Sequence, residues 1–461
     1  MVYRTPKCVW QFFTKVSIHM RRNILTILSP ARILILSLFG LIGISMFVLA
    51  HPWCSRVSWS PFDLFFMATS LVTMTGLAVP IDQLTPLGQA LLLIIMQIGG
   101  LGVVTLTLFL LWLVFDLSFA TQIFGARILS LDSWRGIRDI IFFIIKFSLT
   151  IECIGACALF LLIYKDYSLA TSCFLSLFHA ISAYASAGFI LFPKNLFQEQ
   201  YNWPLLLVLW LLMLAGEIGF MVWHELLEYF QALKEKKRFH FSLHAKLVFY
   251  STFSLSAGGF LLYWMLERHN TLASLSGPYA LINALFNSTA ARGIGFTTIA
   301  ISELQLATLL LIMILAFIGA SPGSTGSGVK TTTISLLVGT IQAAIAGRSI
   351  TTIRGRTIPK EQVYQALAIL TLSLAWIGGT LFLMLITEKG TFLDILFEII
   401  SAFGNLGLST GITSELTNCG KLYIALTMIV GRVGCLAVVF SLLKPPTKIE
   451  YALPEERVIL G

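Results

Sequence analysis

The sequence predicts an all-α integral membrane fold: four tandem helix–pore loop–helix repeats, with eight transmembrane helices plus four re-entrant pore helices around a central pore. Three observations lead there. Apolar stretches long enough to cross a bilayer recur from end to end, shorter apolar pieces lie between the members of each pair, and every short piece runs into the same glycine-bearing skeleton.

The composition sets the solvent. With 57% hydrophobic and only 11% charged residues and a mean hydropathy of +0.87, the chain is far too apolar for a soluble domain. The long apolar spans cover 33–50, 90–115, 140–164, 203–230, 247–266, 305–345, 363–387 and 422–443, and a hydrocarbon core of roughly 30 Å needs about 20 such residues. The net charge of +9 does not mark a nucleic-acid binder. Lys and Arg gather in alternate connecting segments: the N-terminus, Arg127 to Arg138, Lys234 to Arg238, Arg348 to Lys360 and the tail from Lys444. The positive-inside rule makes these segments, and both termini, cytoplasmic. The first long span has no small-residue cleavage site after it and reads as a retained helix, not a signal peptide. The expected organisation is a cytoplasmic segment 1–30, repeats at 31–115, 116–231, 232–346 and 347–446, and a tail 447–461.

The short pieces, 61–75, 170–187, 279–294 and 392–406, cannot cross a bilayer and suit re-entrant helices entering from outside. Each carries an aromatic residue and then, nine or ten positions on, Gly followed by a bulky apolar residue: Phe66 to Gly76-Leu77, Phe178 to Gly188-Phe189, Phe286 to Gly295-Phe296 and Phe397 to Gly407-Leu408. Non-helical backbone at membrane depth must be buried in protein or line a hydrated path. A cation on such a path exchanges its water shell for backbone carbonyls, and glycine permits the turns that aim them. One glycine after a helix is a common C-cap; four in register make a selectivity filter, with Thr75-Gly76, Ala187-Gly188, Ile294-Gly295 and Leu406-Gly407 as its residues.

These motifs resemble the Trk/Ktr/HKT superfamily of potassium transporters, most closely the bacterial Ktr-type membrane subunit. The resemblance rests on Thr73-Met74-Thr75-Gly76-Leu77, Ala187-Gly188-Phe189, Ala291-Arg292-Gly293-Ile294-Gly295-Phe296, Ser401 to Ser409 and the ending Pro454 to Gly461, and it covers nearly the whole chain. It implies potassium uptake across a bacterial cytoplasmic (inner) membrane, no cofactor bound to this chain, transported K+ with Na+ as a coupling or stimulating ion, a homodimer, and a cytosolic nucleotide-binding regulatory ring. Glycine at all four filter positions goes with potassium preference in the family, whereas serine in the first loop marks sodium-preferring relatives. The chain departs from the pattern at Ala290 and Gly293, where relatives usually carry Ser and Thr, and at Tyr184-Ala185-Ser186, in place of an Asn-rich stretch.

The sixth span is interrupted by Gly319-Ala320-Ser321-Pro322-Gly323-Ser324-Thr325-Gly326-Ser327-Gly328, followed by Val329-Lys330, which no continuous helix would hold. The resemblance implies an intramembrane gating loop; a passive kink between helix halves is the plainer reading. The segment mimics a phosphate-binding loop but lacks Lys directly after the second Gly and a preceding strand. Arg432, inside the last span, and Lys330 are read as gate or electrostatic-barrier residues, with an ion pair to a neighbouring helix as the alternative for Arg432. Glu217 is expected to pair with a cation, Lys330 being one candidate, or to border the cavity. His179 reads as hydrogen-bonded packing, and Cys54 and Cys419 as a conceivable external disulfide. Two other classes stay open: a secondary transporter of another cation or small solute with broken helices, and an intramembrane enzyme, for which the chain shows no HExxH, GxSxG or paired catalytic carboxylates.

Overall fold

The computed structural model describes residues 30–77, 79–100, 137–192 and 196–442. The expected C-terminal tail, the first 29 residues and the basic stretch 127–136 lie outside these. The helices are α1 (Pro30–Ala50), α2 (Pro61–Val72), α3 (Pro86–Gly100), α4 (Ile137–Ile163), α5 (Leu169–Tyr184), α6 (Trp203–Glu217), α7 (Phe220–Lys234), α8 (Leu243–Glu267), α9 (Gly277–Ala290), α10 (Leu306–Ile318), α11 (Thr331–Ile345), α12 (Lys360–Thr387), α13 (Phe392–Gly404), α14 (Asn418–Val433) and α15 (Cys435–Leu442). A two-stranded hairpin, β1 (Thr352–Ile353) and β2 (Arg356–Thr357), follows α11.

The short helices α2, α5, α9 and α13 begin in the same way. Ser60, Ser168, Ser276 and Thr391 stand at their N-caps, and the side chains of Ser60, Ser168 and Thr391 accept the backbone N–H of Asp63, Thr171 and Asp394. With 12 to 16 residues, these helices reach only about 18 to 24 Å at 1.5 Å per residue. After each glycine turn a single 3₁₀ turn leads to the next helix: Ile81–Gln83, Leu196–Glu199, Ile301–Glu303 and Ile412–Glu415.

Packing arranges the short helices in a cycle. Helix α2 packs on α1 and on α14, α5 on α4 and α3, α9 on α8 and α6, and α13 on α12 and α10. Each short helix thus touches the helix before it and the helix that follows the preceding short helix, and α14 closes the circle onto α2. Lys421 of α14 reinforces that closure by binding Asp63 of α2 at 2.6 Å, a hydrogen bond that holds the Asp63 carboxyl below its usual range. Large apolar side chains such as Phe47, Phe253, Ile345 and Phe382 face outward, as a lipid-facing surface requires.

Four helices, α1, α4, α8 and α12, are long and apolar enough to cross a membrane, and the bent pairs α6–α7 and α14–α15 bring the number to six. The other two of the eight expected crossings are not continuous helices among the described residues. The span 90–115 is described only to Gly100, and 305–345 is divided between α10 and α11. The spans 203–230 and 422–443, expected to be continuous, each turn by 98°. Their hinges share one conformation, Gly219 at φ 93°, ψ 141° and Gly434 at φ 91°, ψ 135°, a region that only glycine enters cheaply.

Candidate functional site

The four glycine turns converge. Gly76, Gly188, Gly295 and Gly407 have φ of 80°, 70°, 74° and 79°. Two residues earlier in each turn stands a second left-handed residue: Met74, Ser186, Gly293 and Asn405, at 60°, 56°, 112° and 51°. Left-handed conformations at alternate positions turn successive carbonyls toward one side of the strand, the arrangement a line of oxygen ligands needs. For Met74 and Ser186 that conformation costs about 1–2 kcal/mol each.

The turns also lock into a ring. A Cβ on Gly76 would lie 2.6 Å from the carbonyl oxygen of Ala187, and a Cβ on Gly188, Gly295 or Gly407 would overlap the carbonyl oxygen of Ile294, Leu406 or Thr75 respectively. Each glycine therefore abuts the carbonyl of the residue just before the glycine in the next turn, and the fourth turn meets the first. All eight predicted filter residues, Thr75, Gly76, Ala187, Gly188, Ile294, Gly295, Leu406 and Gly407, are brought together here.

Side chains brace three of the turns identically. Ser70, Ser182 and Ser401 donate to the carbonyls of Leu77, Phe189 and Leu408 at 2.9, 2.9 and 2.6 Å. The third turn is one residue shorter and has Ala290 at the corresponding place, where Ile294 N–H reaches the Ala290 carbonyl at 3.1 Å. Its brace comes instead from Asn287, whose side chain accepts from Thr298 N–H at 3.0 Å and donates to the Thr298 hydroxyl at 2.8 Å. The first and fourth turns are tied by Asn405, which donates to the Thr75 hydroxyl at 2.7 Å.

The interrupted segment Gly319–Gly328 lies against this ring. Thr325 and Ser186 hydroxyls are 2.8 Å apart. Ser321 N–H and Thr325 N–H donate to the carbonyls of Glu217 and Gly216 at 3.3 and 3.1 Å, and Phe220 N–H donates to the Gly323 carbonyl at 2.9 Å. The loop is thus sewn to the α6–α7 hinge. Two cations hold its carbonyls. Lys330 Nζ donates to Gly326 at 2.6 Å, while Arg432 donates to the Thr325 carbonyl, to the Ser327 hydroxyl at 3.2 Å and to the Gly99 carbonyl at 2.7 Å. Among the described residues Arg432 is held by these carbonyl and hydroxyl oxygens and has no carboxylate partner.

Glu217 departs from expectation. Its partner is Arg292, not Lys330: the two lie 2.5 Å apart and each is 1% exposed. Arg292 sits inside the third turn, between Ala291 and Gly293, and so the pair joins that turn to the α6–α7 hinge. The Lys330 ammonium instead donates to the Gly326 carbonyl. The hinges do have a sequence signal. Gly216-Glu217-Ile218-Gly219 and Gly431-Arg432-Val433-Gly434 share one pattern, and a Cβ on Gly216 or Gly431 would overlap the carbonyl of Tyr184 or Phe403, each two residues before the first left-handed residue of its turn. Glu217 and Arg432 therefore occupy matching places with opposite charges.

His179 is packing, as expected: Nδ1 donates to the Leu175 carbonyl at 2.8 Å, Nε2 accepts from Leu191 N–H at 3.0 Å, and the ring stacks on Phe192. Both ring nitrogens are used, which leaves none for a ligand. Cys54 is buried, Cys419 is exposed, and both are free thiols.

Residues 48–450 match the family model TrkH, described as a cation transport protein. The chain is 34% identical over 455 residues to the potassium/sodium uptake protein NtpJ of Enterococcus hirae, covering 96% of this chain and 99% of the relative. It is also 34% identical to the Ktr system potassium uptake protein B of Vibrio alginolyticus, over 93% of this chain and 94% of the relative, and to that of Bacillus subtilis, over 94% and 97%. The fold resembles the crystal structure of the potassium transporter TrkH from Vibrio parahaemolyticus, with a TM-score of 0.68 at 20% identity over 89% of this chain and 84% of that one.

Proposed function

We propose, for a chain that belongs to the TrkH family of cation transport proteins and is a transporter and not an enzyme, that it takes up potassium through the ring of four glycine turns, with Gly319–Gly328 as the intramembrane gate. The observation that carries this reading is the closed cycle in which each filter glycine abuts the carbonyl preceding the next. Such a ring offers the carbonyls of Thr75, Ala187, Ile294 and Leu406 as ligands that replace a cation's water shell. The C-termini of the four short helices converge on the same place and add a field favourable to cations. Uptake needs no ATP: a potential of about 150 mV gives one inward charge about 3.5 kcal/mol, roughly 2.5 decades of concentration.

The eight-crossing, four-repeat organisation belongs to the same proposal and is supported by the cyclic packing of the short helices. So does a homodimer in a bacterial cytoplasmic membrane, with Na+ as a stimulating ion and a cytosolic nucleotide-binding ring as regulator. The route from ring to gate is short, since α11 begins just after Lys330, a short connection leads from its end at Ile345 to the hairpin at Thr352–Thr357, and Ile358 N–H bonds the Thr351 carbonyl at 3.0 Å to fasten the hairpin's base. Exposed Arg348, Arg354 and Arg356 surround that hairpin.

The test is Gly76→Ser. Its added side chain points at the Ala187 carbonyl, so potassium preference over sodium falls while a cation path remains. Growth and ion uptake in a potassium-uptake-deficient host measure this, and an unchanged potassium-to-sodium ratio in a well-expressed variant removes Gly76 from the filter.

Arg432→Ala tests the gate. The substitution removes three hydrogen bonds to the loop and its neighbours and a unit charge, which repels a cation about 4 Å away by roughly 4 kcal/mol at an effective dielectric of 20. Flux per folded protein rises. Normal folded yield with unchanged flux contradicts this role.

A further inference from the structure

Among the buried carboxylates of the described spans, Glu217 has Arg292 and Glu398 accepts the Thr413 hydroxyl. Glu152 is different. It lies in the middle of α4, is 3% exposed and belongs to none of the ion pairs formed among the described residues. Its two carboxyl oxygens both take their hydrogen bonds from one neutral group, the Gln97 side-chain amide of α3, at 3.1 and 2.8 Å. The other end of that amide, Gln97 Oε1, is buried and accepts no hydrogen bond among the described residues.

We propose that Glu152 and Gln97 form a proton-binding site, in which the carboxylate takes one proton from hydronium, an O–H bond forming on the carboxyl as one breaks in hydronium, which leaves as water. The protonated acid has a donor, and Gln97 Oε1 is an acceptor on the amide that already faces it. A turn of the amide lets the neutral pair bond in both directions, whereas a bare carboxylate at membrane depth leaves Gln97 Oε1 orphaned and one charge uncompensated.

Two of the elements packed against α4 carry titratable groups. Helix α5 contributes Tyr184, whose hydroxyl shares a 3.1 Å hydrogen bond with Ser148, one turn before Glu152 on α4. His179 of α5 has both nitrogens bound elsewhere, and Glu217 of α6 is neutralised by Arg292; α3 contributes Gln97 alone. Tyr184 ends the second short helix, two residues before Ser186, whose hydroxyl meets Thr325 of the loop. A charge that appears or disappears on Glu152 therefore lies one side chain away from the second filter turn and the gate. This consequence for flux rests on the transport reading above; the proton site itself does not.

The experiment compares the parent protein with Glu152→Gln and Gln97→Leu in proteoliposomes. Infrared titration reads protonation without any transport: the parent shows a protonated-carboxyl band that Glu152→Gln lacks and that Gln97→Leu moves in position or in titration pH. Rubidium flux is then measured at equal pH on both sides. The parent's flux depends on pH, and Glu152→Gln loses that dependence and stays at the parent's acidic-limb level. A parent with no such band, or a band retained in Glu152→Gln, overturns the site. A correct band with a pH profile unchanged in Glu152→Gln overturns the link to flux, as does a flux change that follows sodium and not pH. If Glu152→Gln fails to fold, Gln97→Leu decides alone: an unshifted band and profile contradict the pairing.

Discussion

Replacing Gly407 by alanine abolishes selective potassium flux and leaves a folded protein. At φ 79° an added Cβ is strained, and it would overlap the Thr75 carbonyl oxygen, which is backbone and a proposed ion ligand, so no flexible side chain can yield. The seam between the fourth and first turns, held also by Asn405 on Thr75, has to open. A misfit of about 3 kcal/mol at the ligand ring lowers flux by roughly a hundredfold. The matched control is Gly378→Ala in α12, where an added Cβ meets nothing within 4 Å and helix propensity favours alanine by up to about 1 kcal/mol; that variant keeps parental flux. Equal losses in both variants contradict a ring-specific effect.

Deleting Pro322–Ser327 produces the opposite result, raised flux with ion preference retained. The ends of the deleted stretch already lie side by side, since Ala320 N–H donates to the Ser327 carbonyl at 3.3 Å, so joining Ser321 to Gly328 leaves α10 and α11 in place. The deletion takes away Thr325, the contact with the second turn, together with the carbonyls that Arg432 and Lys330 hold. Each 1.4 kcal/mol of barrier removed gives about tenfold more flux. Flux through parent and deletion, normalised to folded protein and measured with and without the proposed regulatory ring, checks this. Parental flux with full dependence on the ring places the gate elsewhere.

Much of this site is legible in the sequence because glycine is. Gly76, Gly188, Gly295 and Gly407 stand out by register, and Gly319 to Gly328 by an apolar run that small residues interrupt. The first left-handed residue of each turn is hidden, since Met74 and Ser186 carry no signature of the conformation that the ring imposes on them; Gly293 and Asn405 alone hint at it. The hinges at Gly219 and Gly434 escape because hydropathy does not register a change of direction. The Glu217–Arg292 pair escapes because its partners, one at the end of α6 and the other in the third turn, lie far apart in sequence. The division of the span 305–345 into α10 and α11 is legible, because the small residues Gly319 to Gly328 interrupt its apolar run.

The most direct test of the central claim is ion flux through the purified chain in proteoliposomes, with potassium, rubidium or sodium and with or without an imposed potential. The account predicts that potassium and rubidium pass in preference to sodium, that an inside-negative potential drives them inward without ATP, and that Gly76→Ser narrows the preference. Flux indifferent to the potential, or carried by an organic solute with potassium excluded, would contradict it.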